Sequence, residues 1–419
     1  MTALDLASTP SKGISWKAVR LTFGALLLLA GVSVLIHCLS SHETAALALG
    51  IILGALGGAA MFESTAESTL IPAAAVTLSL IPFGLFIAVV AGKDPFHAFY
   101  LLYAGSFAKW FTFQETLTYA APLMLTGLCT ALPMRVGLVI IGGEGALVMG
   151  ALMSGGVGHF AQIHGASNGM IVFWMLLAAS ATGAFWIALA GALKHYRGVN
   201  ETISSLLLIY IGVALMNHIV EGPWRDPASL NKPSTWSVLT PDGDYLLGGI
   251  HFGSFTMDVH WGLIIGFVVC LLCWILMNHT TFGFAAQVVG GNMRAAKVVG
   301  LSVGKVILIT CALAGAAAGL AGGIEVAAVQ GTVNATIVAG YGYTGILVAF
   351  LARQNPLAII PVAILLGGIN ASNNLLQSEM GLPDATVRVL QGLIFLVILA
   401  SESYYGKLKF FKKSEAVRA

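Results

Sequence analysis

The sequence predicts an all-α polytopic membrane protein of about twelve transmembrane helices (ten to twelve), with both termini in the cytoplasm. Three observations predict it. The 419-residue chain is 58% hydrophobic and 9% charged, with a mean hydropathy of +0.89. Soluble domains are about one quarter charged, and so little polar surface could not cover a soluble core of this size. The apolar residues fall in runs close to the roughly 20 residues a helix needs to cross a hydrocarbon core of about 30 Å. Lysine and arginine gather at the ends of those runs in a pattern that fits an even number of crossings.

In chain order the runs lie near 19–37, 44–61, 70–91, 117–133, 137–157, 170–193, 203–220, 261–278, 305–327, 340–352, 355–373 and 386–402. The first has no A-x-A cleavage site after it and is followed by further spans, so it reads as a helix rather than a signal peptide. The run at 137–157 is broken by glycine and that at 340–352 is short, so either suits a re-entrant segment or a half-helix. Residues 1–18 form a basic tail with Lys12 and Lys17, and Arg20 stands at the start of the first run. Residues 403–419 form another, with Lys407, Lys409, Lys412, Lys413 and Arg418. Both belong in the cytoplasm, and with twelve crossings in the 19–402 domain Arg135, Lys194, Arg197, the loop 279–304 and Arg353 fall there too. The loop 221–260 falls outside. It carries Glu221, Asp226, Asp242, Asp244 and Asp258 against Arg225 and Lys232, and its prolines and Trp224 and Trp236 suggest an ordered extracytoplasmic cap.

The composition excludes several functions. A net charge of +2, with the basic residues spread over span ends, offers no footprint for nucleic acid. No G-x-x-x-x-G-K-[ST] loop, H-E-x-x-H helix or nucleophile–base pattern occurs, so no catalytic residue, metal site or cofactor is expected. Cys38, Cys129, Cys270, Cys273 and Cys311 sit in or beside apolar runs and read as small packing residues. Gly315, Gly319 and Gly323, like Gly50, Gly54 and Gly58, recur every four residues, a spacing that lets helix backbones touch.

Polar residues inside spans are costly and therefore candidates for a substrate path. They are Glu144 in a glycine-rich break, Glu325 just past Gly323, Asn217 at a span end, and Asn370, Asn373 and Asn374 in G-G-I-N-A-S-N-N. Each has a structural alternative as a helix-end or interhelical bond. Asn200 reads as an N-cap, with Glu201 favourable to the helix dipole behind it. Between two apolar runs, residues 279–305 hold Arg294, Lys297 and Lys305 with no Asp or Glu, and Asn292–Val299 has helix-compatible residues flanked by glycines. A short basic cytoplasmic helix, centred on Gly291, Asn292, Arg294, Ala295, Ala296, Lys297 and Gly300, is what a membrane channel would offer to a soluble motor.

Four stretches resemble one family: P-L-M-L-T-G-L with R-V-G-L-V-I-I-G-G-E-G-A-L-V-M-G-A-L (122–128, 135–152), R-G-V-N-E-T-I-S-S-L-L-L-I-Y-I (197–211), G-G-N-M-R-A-A-K-V-V-G-L (290–301) and G-Y-G-Y-T-G-I-L-V-A-F-L-A-R-Q-N-P-L (340–357). In order and spacing they resemble permease subunits of bacterial ATP-binding-cassette importers of the ribose and branched-chain amino-acid type, most closely the nucleoside (guanosine-type) members. The resemblance implies a cytoplasmic (inner) membrane protein that pairs with a second permease and with ATPase subunits that use the ATP. An extracytoplasmic binding protein or lipoprotein would deliver the cargo. It also implies that 290–301 is the coupling helix and that Gly142–Gly145 and the spans of Asn200 and Glu325 surround the path. Ile140 and Ala146 stand where nucleoside-type members carry Asn and Gln. If both amides faced a dry site, each lost bond would change preference about 10-fold or more. The leading expectation is a permease for a nucleoside or purine. The alternatives are another small solute such as a simple sugar or a flavin, an ion-coupled secondary transporter using Glu144 or Glu325, or a membrane receptor.

Overall fold

The computed structural model describes residues 63–240, 243–252 and 255–402. The runs expected at 19–37 and 44–61, Gly50, Gly54, Gly58, Cys38 and both basic tails lie outside these residues. Among those described, seven helices are long and apolar enough to cross a membrane by length and composition: 110–134, 143–163, 168–197, 201–221, 262–279, 303–330 and 356–380. Three shorter apolar helices, 75–89, 335–351 and 385–401, fall where the sequence placed runs. Twelve crossings are thus expected from the whole chain; the described part bears on ten of them.

The helices are α1 (Glu63–Val89), α2 (Pro95–Ser106), α3 (Trp110–Met134), α4 (Gly143–Ile163), α5 (Asn168–Arg197) and α6 (Glu201–Glu221). After them come α7 (Gly262–His279), α8 (Thr281–Gly291), α9 (Met293–Val298), α10 (Val303–Glu325), α11 (Tyr341–Leu351), α12 (Pro356–Ala371), α13 (Asn373–Met380) and α14 (Ala385–Glu402). Three departures from the sequence reading stand out. First, α2 lies where no element was expected, since twelve residues rich in aromatics are too short to register as a span. It begins at Pro95 behind Asp94, whose carboxylate accepts from Phe96 N–H at 3.0 Å. Second, the run at 137–157 is not helical until Gly143. Third, the chain is not wholly α: strands β1 (Gly249–Phe252) and β2 (Phe255–His260) pair antiparallel in the 221–260 loop.

Glycine decides the packing of the bundle. α10 lies at its centre, against α3, α4 and α5. A Cβ on Gly315 would overlap the Gly183 carbonyl, and one on Gly319 would overlap the Ala179 carbonyl. A Cβ on Gly150 would lie 2.5 Å from Gly319 O. Gly322 meets the Leu147 carbonyl in the same way, and a Cβ on Gly323 would sit 2.7 Å from that of Ala179. In lipid there is no hydrophobic drive between helices, so this backbone contact supplies the dispersion energy that holds them. The four-residue spacing seen in the sequence is therefore a packing surface shared with α4 and α5.

The helix ends sort onto two faces. On one, Arg135 Nη2 donates to Gln354 O (3.4 Å), a Cβ on Gly290 would overlap the Arg135 carbonyl, and Gly304 lies against the His195 ring. This face gathers the basic segments that the sequence placed together. On the other, the 222–260 loop is tied down rather than free. Thr235 N–H donates to Val333 O (3.0 Å), Val238 N–H to Gly331 O (2.7 Å), Leu247 N–H to Ala327 O (3.0 Å), and Gln162 Nε2 to Leu239 O (2.7 Å). The His159 and Trp236 rings stack at 4.4 Å.

Gly319→Leu is expected to lower the melting temperature of the detergent-purified chain, because overpacking of this kind costs about 1–3 kcal/mol. Gly291→Ala, at a position with open space around it, should leave it unchanged. A pH effect should accompany this. His260 ends β2 buried, and burial pushes its pKa down to about 4, against a weaker pull from the Thr118 backbone. The unfolded imidazole titrates near 6.5, so between about pH 6.5 and 4 the unfolded state binds the extra proton. Stability should be flat above neutrality and fall by up to about 3 kcal/mol as pH drops through that window. The His260→Phe variant should lose this part of the pH dependence in melting curves.

Candidate functional site

α11 has eleven residues, about 16 Å of helix, roughly half a bilayer core. Its C-terminus leads to Arg353 on the basic face, so its N-terminus lies near mid-depth. α4 begins against it: a Cβ on Gly342 would sit 2.5 Å from the Cα of Glu144. Two helix N-termini thus meet inside the bundle, each with N–H groups lacking intrahelical acceptors and a partial positive charge. Glu144, in the first turn of α4 and fully buried, serves both. Its Oε1 accepts from Gly340 N–H at 2.8 Å and its Oε2 from Gly342 N–H at 2.5 Å. Gly340 itself adopts φ +88°, a left-handed turn that aims these donors at the carboxylate and that a side chain would oppose.

The non-helical segment before α4 is fixed along its length. Thr202 Oγ1 donates to Val139 O (2.9 Å) and Ile141 N–H donates to Ser205 Oγ (3.2 Å), both from the first turns of α6. α6 is capped as its sequence suggested: Asn200 Oδ1 accepts from Ile203 N–H (3.1 Å) and Glu201 pairs with Lys194 at 2.8 Å.

Beside this junction lies a cavity of about 810 Å³. Tyr119 of α3, Glu325 and Gln330 around the end of α10, Tyr341, Tyr343 and Thr344 of α11, Asn370 and Asn373 at the α12–α13 bend, and Arg388, Gln391 and Phe395 of α14 contribute to its wall. α10 does not stop at Glu325 but widens into a π-turn, Val326–Gln330, a deviation that often marks functional positions. Two polar relays line the wall. In one, Thr336 Oγ1 donates to Gln330 Oε1 (2.9 Å) and Gln330 Nε2 reaches Glu325 Oε1 (3.5 Å). In the other, Thr344 Oγ1 donates to Gln391 Oε1 (3.2 Å) and Gln391 Nε2 to Asn370 Oδ1 (2.7 Å). Asn373 Oδ1 is buried with no hydrogen-bond partner.

Of the residues expected on a substrate path, Glu325, Asn370 and Asn373 line this cavity. Glu144 sits behind its wall, engaged by the α11 backbone. Asn217 is half-buried on α6 and Asn374 is exposed on α13, and neither lines the cavity. Ile140 and Ala146 are both fully buried and also away from it, whereas Ile141 lines it. The amides that guanosine-type members carry at those two positions would therefore meet packed core here. Sequence reasoning missed Tyr119, Tyr341, Tyr343, Thr344, Arg388 and Gln391. Arg388 and Gln391 carried a signal, a charge and an amide within the apolar run 386–402, that the intramembrane-polar rule could have caught.

The basic helix is present as α9, capped by Asn292, whose Oδ1 accepts from Arg294 N–H (2.9 Å) and Ala295 N–H (3.1 Å). Ala296 is buried and seats the helix. Arg294, Ala295 and Lys297 face outward, Gly291 has open space around it, and Gly300 turns the chain at φ +86°.

A many-helix bundle with a polar-lined central cavity and a projecting basic helix defines the class as a membrane transport subunit. The chain belongs to the branched-chain amino acid transport system permease component family, which it matches over residues 112–399. It is 31% identical to a glucose ABC transporter permease of Haloferax volcanii over 332 residues, 78% of this chain and 86% of that protein. It is 30% identical to a guanosine ABC transporter permease of Bacillus subtilis over 363 residues, 81% of this chain and 96% of that one. A galactofuranose transporter permease of Escherichia coli is 25% identical over 304 residues, 69% of this chain and 79% of that protein. The protein is an ABC importer permease for small polar solutes, a multi-pass protein of the cytoplasmic membrane. Subunits of this family work with ATPase and substrate-binding partners, and ATP is hydrolysed by a separate subunit.

Glu144→Ala should expose the α11 N-terminus. Leaving two buried donors unpaired costs about 3 kcal/mol or more, which corresponds to roughly 100-fold faster hydrogen exchange at the amides of 340–344. Glu144→Gln, which keeps one acceptor, should fall between the two.

Proposed function

We propose that this chain forms one half of the translocation path of an ATP-driven importer for a nucleoside or purine, with a second permease completing it. The cavity is the observation that carries this reading. Its volume lies within the 300–1,000 Å³ usual for small-molecule sites, its polar groups are mostly neutral amides and hydroxyls, and three tyrosines supply faces on which a planar ring can stack. Arg388 and Gly392 of α14 are exposed where they line it, so the cavity opens along α14, the side a second permease would cover. A simple sugar would find the same amides, and the glucose permease relative favours that second reading of the cargo. In either case the basic face lies in the cytoplasm, the 221–260 cap meets a binding protein or lipoprotein outside, and residues 19–402 are the membrane domain between cytoplasmic tails 1–18 and 403–419.

α9 couples this path to the ATPase. Val298 and Val299 are 88% and 75% exposed and stand beside Arg294 and Lys297. Apolar anchors within a charged rim suit a protein cleft. Motion of α9 would reach the cavity through backbone contact. Gly290, two residues before the α9 cap, lies on the Arg135 carbonyl, and a Cβ on Gly137 would be 3.4 Å from Gly290 O. From there the chain runs through Val139 and Ile141 to Glu144, which holds the first residues of α11 at the cavity wall. No nucleotide binds this chain in that scheme.

Two measurements test it. In proteoliposomes holding the complete transporter, guanosine uptake should require ATP and survive an uncoupler; uptake that follows the proton gradient instead would make this a secondary transporter. The double variant Arg294→Glu, Lys297→Glu should insert normally yet fail to retain the ATPase on co-purification, and uptake should fall at least about 10-fold, as expected for reversed charges at a docking surface. Unchanged uptake would refute the coupling role.

A further inference from the structure

A carboxylate buried among spans has to be hydrogen-bonded or paired, and the two glutamates buried among the described residues meet that demand differently. Glu144 has both oxygens occupied by backbone N–H groups. Glu325, 4% exposed, is met by Gln330 Nε2 at 3.5 Å, the outer limit of a hydrogen bond. A carboxylate accepts at about four lone-pair positions, so most of the capacity of Glu325 is left for what enters the cavity it lines.

We propose that Glu325 makes the permease itself selective: its carboxylate takes two adjacent hydrogen-bond donors of a neutral solute as it passes. The inference rests on the cavity being the translocation path. The group is held in place for this task. α10 is seated by glycine–backbone contacts on α4 and α5 up to Gly322, and Gly323 packs on the Ala179 side chain. Past Glu325, the π-turn is tied to the outer loop by Leu247 N–H to Ala327 O (3.0 Å) and is closed by Gly331, whose carbonyl accepts from Val238 N–H (2.7 Å). Gln330 Nε2 meets one oxygen of Glu325, while Thr336 Oγ1, whose proton is shared between Asn334 Oδ1 and Gln330 Oε1, lies on the far side of that amide, which leaves the other carboxylate positions to the cavity. A site fixed before the solute arrives loses little entropy on binding.

Adjacent donors occur in two sources, the N1–H and 2-amino group of a guanine and the vicinal hydroxyls of a sugar. A solute that fills the carboxylate's acceptors is separated strongly from an analogue lacking one donor, because the buried oxygen is then left unpaired. A phosphorylated solute would bring like charge to the same point.

The test uses the complete transporter, with ATPase, second permease and binding protein, in proteoliposomes. Uptake is compared for guanosine against inosine, which lacks the 2-amino group, and for glucose against 2-deoxyglucose, which lacks one hydroxyl of a vicinal pair. Because the binding protein is the same throughout, any change of ratio between wild type and variant arises in the permease. Glu325→Gln should shrink the preference for the two-donor solute in one arm by about 10-fold or more, and the responding arm identifies the source. Glu325→Asp, which keeps the carboxylate, should retain the preference at a lower rate and guards against misfolding as the cause. Ratios unchanged in both arms, or no preference in the wild type, would overturn the assignment, as would a sodium requirement for uptake that disappears in Glu325→Gln. A wild-type complex that moves none of the four solutes with ATP would sink the translocation reading itself, whereas intact uptake with unchanged ratios sinks the Glu325 assignment alone.

Discussion

The carboxylate of Glu144, clasped between the starts of two helices, is the interaction on which the rest of the bundle depends. A helix that begins inside a membrane has several N–H groups without acceptors and no water to take them. Here two such helices, α4 and α11, begin side by side. One side chain from the first turn of α4 accepts from Gly340 and Gly342, and its negative charge lies where two positive helix ends converge. Without it α11 could not be a half-helix, and without a half-helix the polypeptide between 331 and 340 would have no reason to line a cavity at mid-depth.

Glycine makes that arrangement possible on every side. Gly342 allows Glu144 to approach, Gly145 lies against the backbone of Ile209, and Gly150 against Gly319. Further along, α10 touches α5 through Gly315 and Gly319. The core is therefore rigid where backbones touch, and the polar wall it supports holds its groups at fixed positions. Rigidity also gives a mechanical reading to the basic face. Gly290 rests on Arg135, and the non-helical stretch after Arg135 is pinned to α6 before it reaches Glu144. A displacement at α9 has a short, stiff route to the cavity.

The relatives are named for chemically different cargo, glucose and guanosine among them, and the cavity wall of this chain carries groups suited to either. Amides and hydroxyls can be donors or acceptors as a solute requires, and tyrosine faces receive either a base or the apolar side of a sugar ring. In the reading proposed above, discrimination falls to groups with only one role. Within the wall the buried one of that kind is the acceptor Glu325. The two buried glutamates are alike in sequence context, each close to paired glycines, yet one is structural and the other faces the cavity.

Much was legible in the sequence. Apolar runs located most of the described long helices to within a few residues, because hydrophobic thickness fixes their length, while α1 and α3 begin seven residues before their runs and α4 is displaced by six. Asn200 was readable as a cap, since an Asn before a helical run has one favourable local use, whereas the cap at Asn292 emerged only from the structure. The basic, acid-free stretch at 290–301 was readable as a projecting helix. The pairing of distant segments was not legible: that Glu144 reaches Gly340, that Gln391 donates to Asn370, or that Ile140 and Ala146 turn away from the cavity while Ile141 faces it. Composition and periodicity determined by themselves that this chain is a helical membrane protein, because the cost of burying charge in lipid acts on each residue locally. Which of its few polar side chains hold the fold and which line the cavity was decided only by tertiary structure, because a carboxylate's role depends on which donors other helices bring within 3 Å of it.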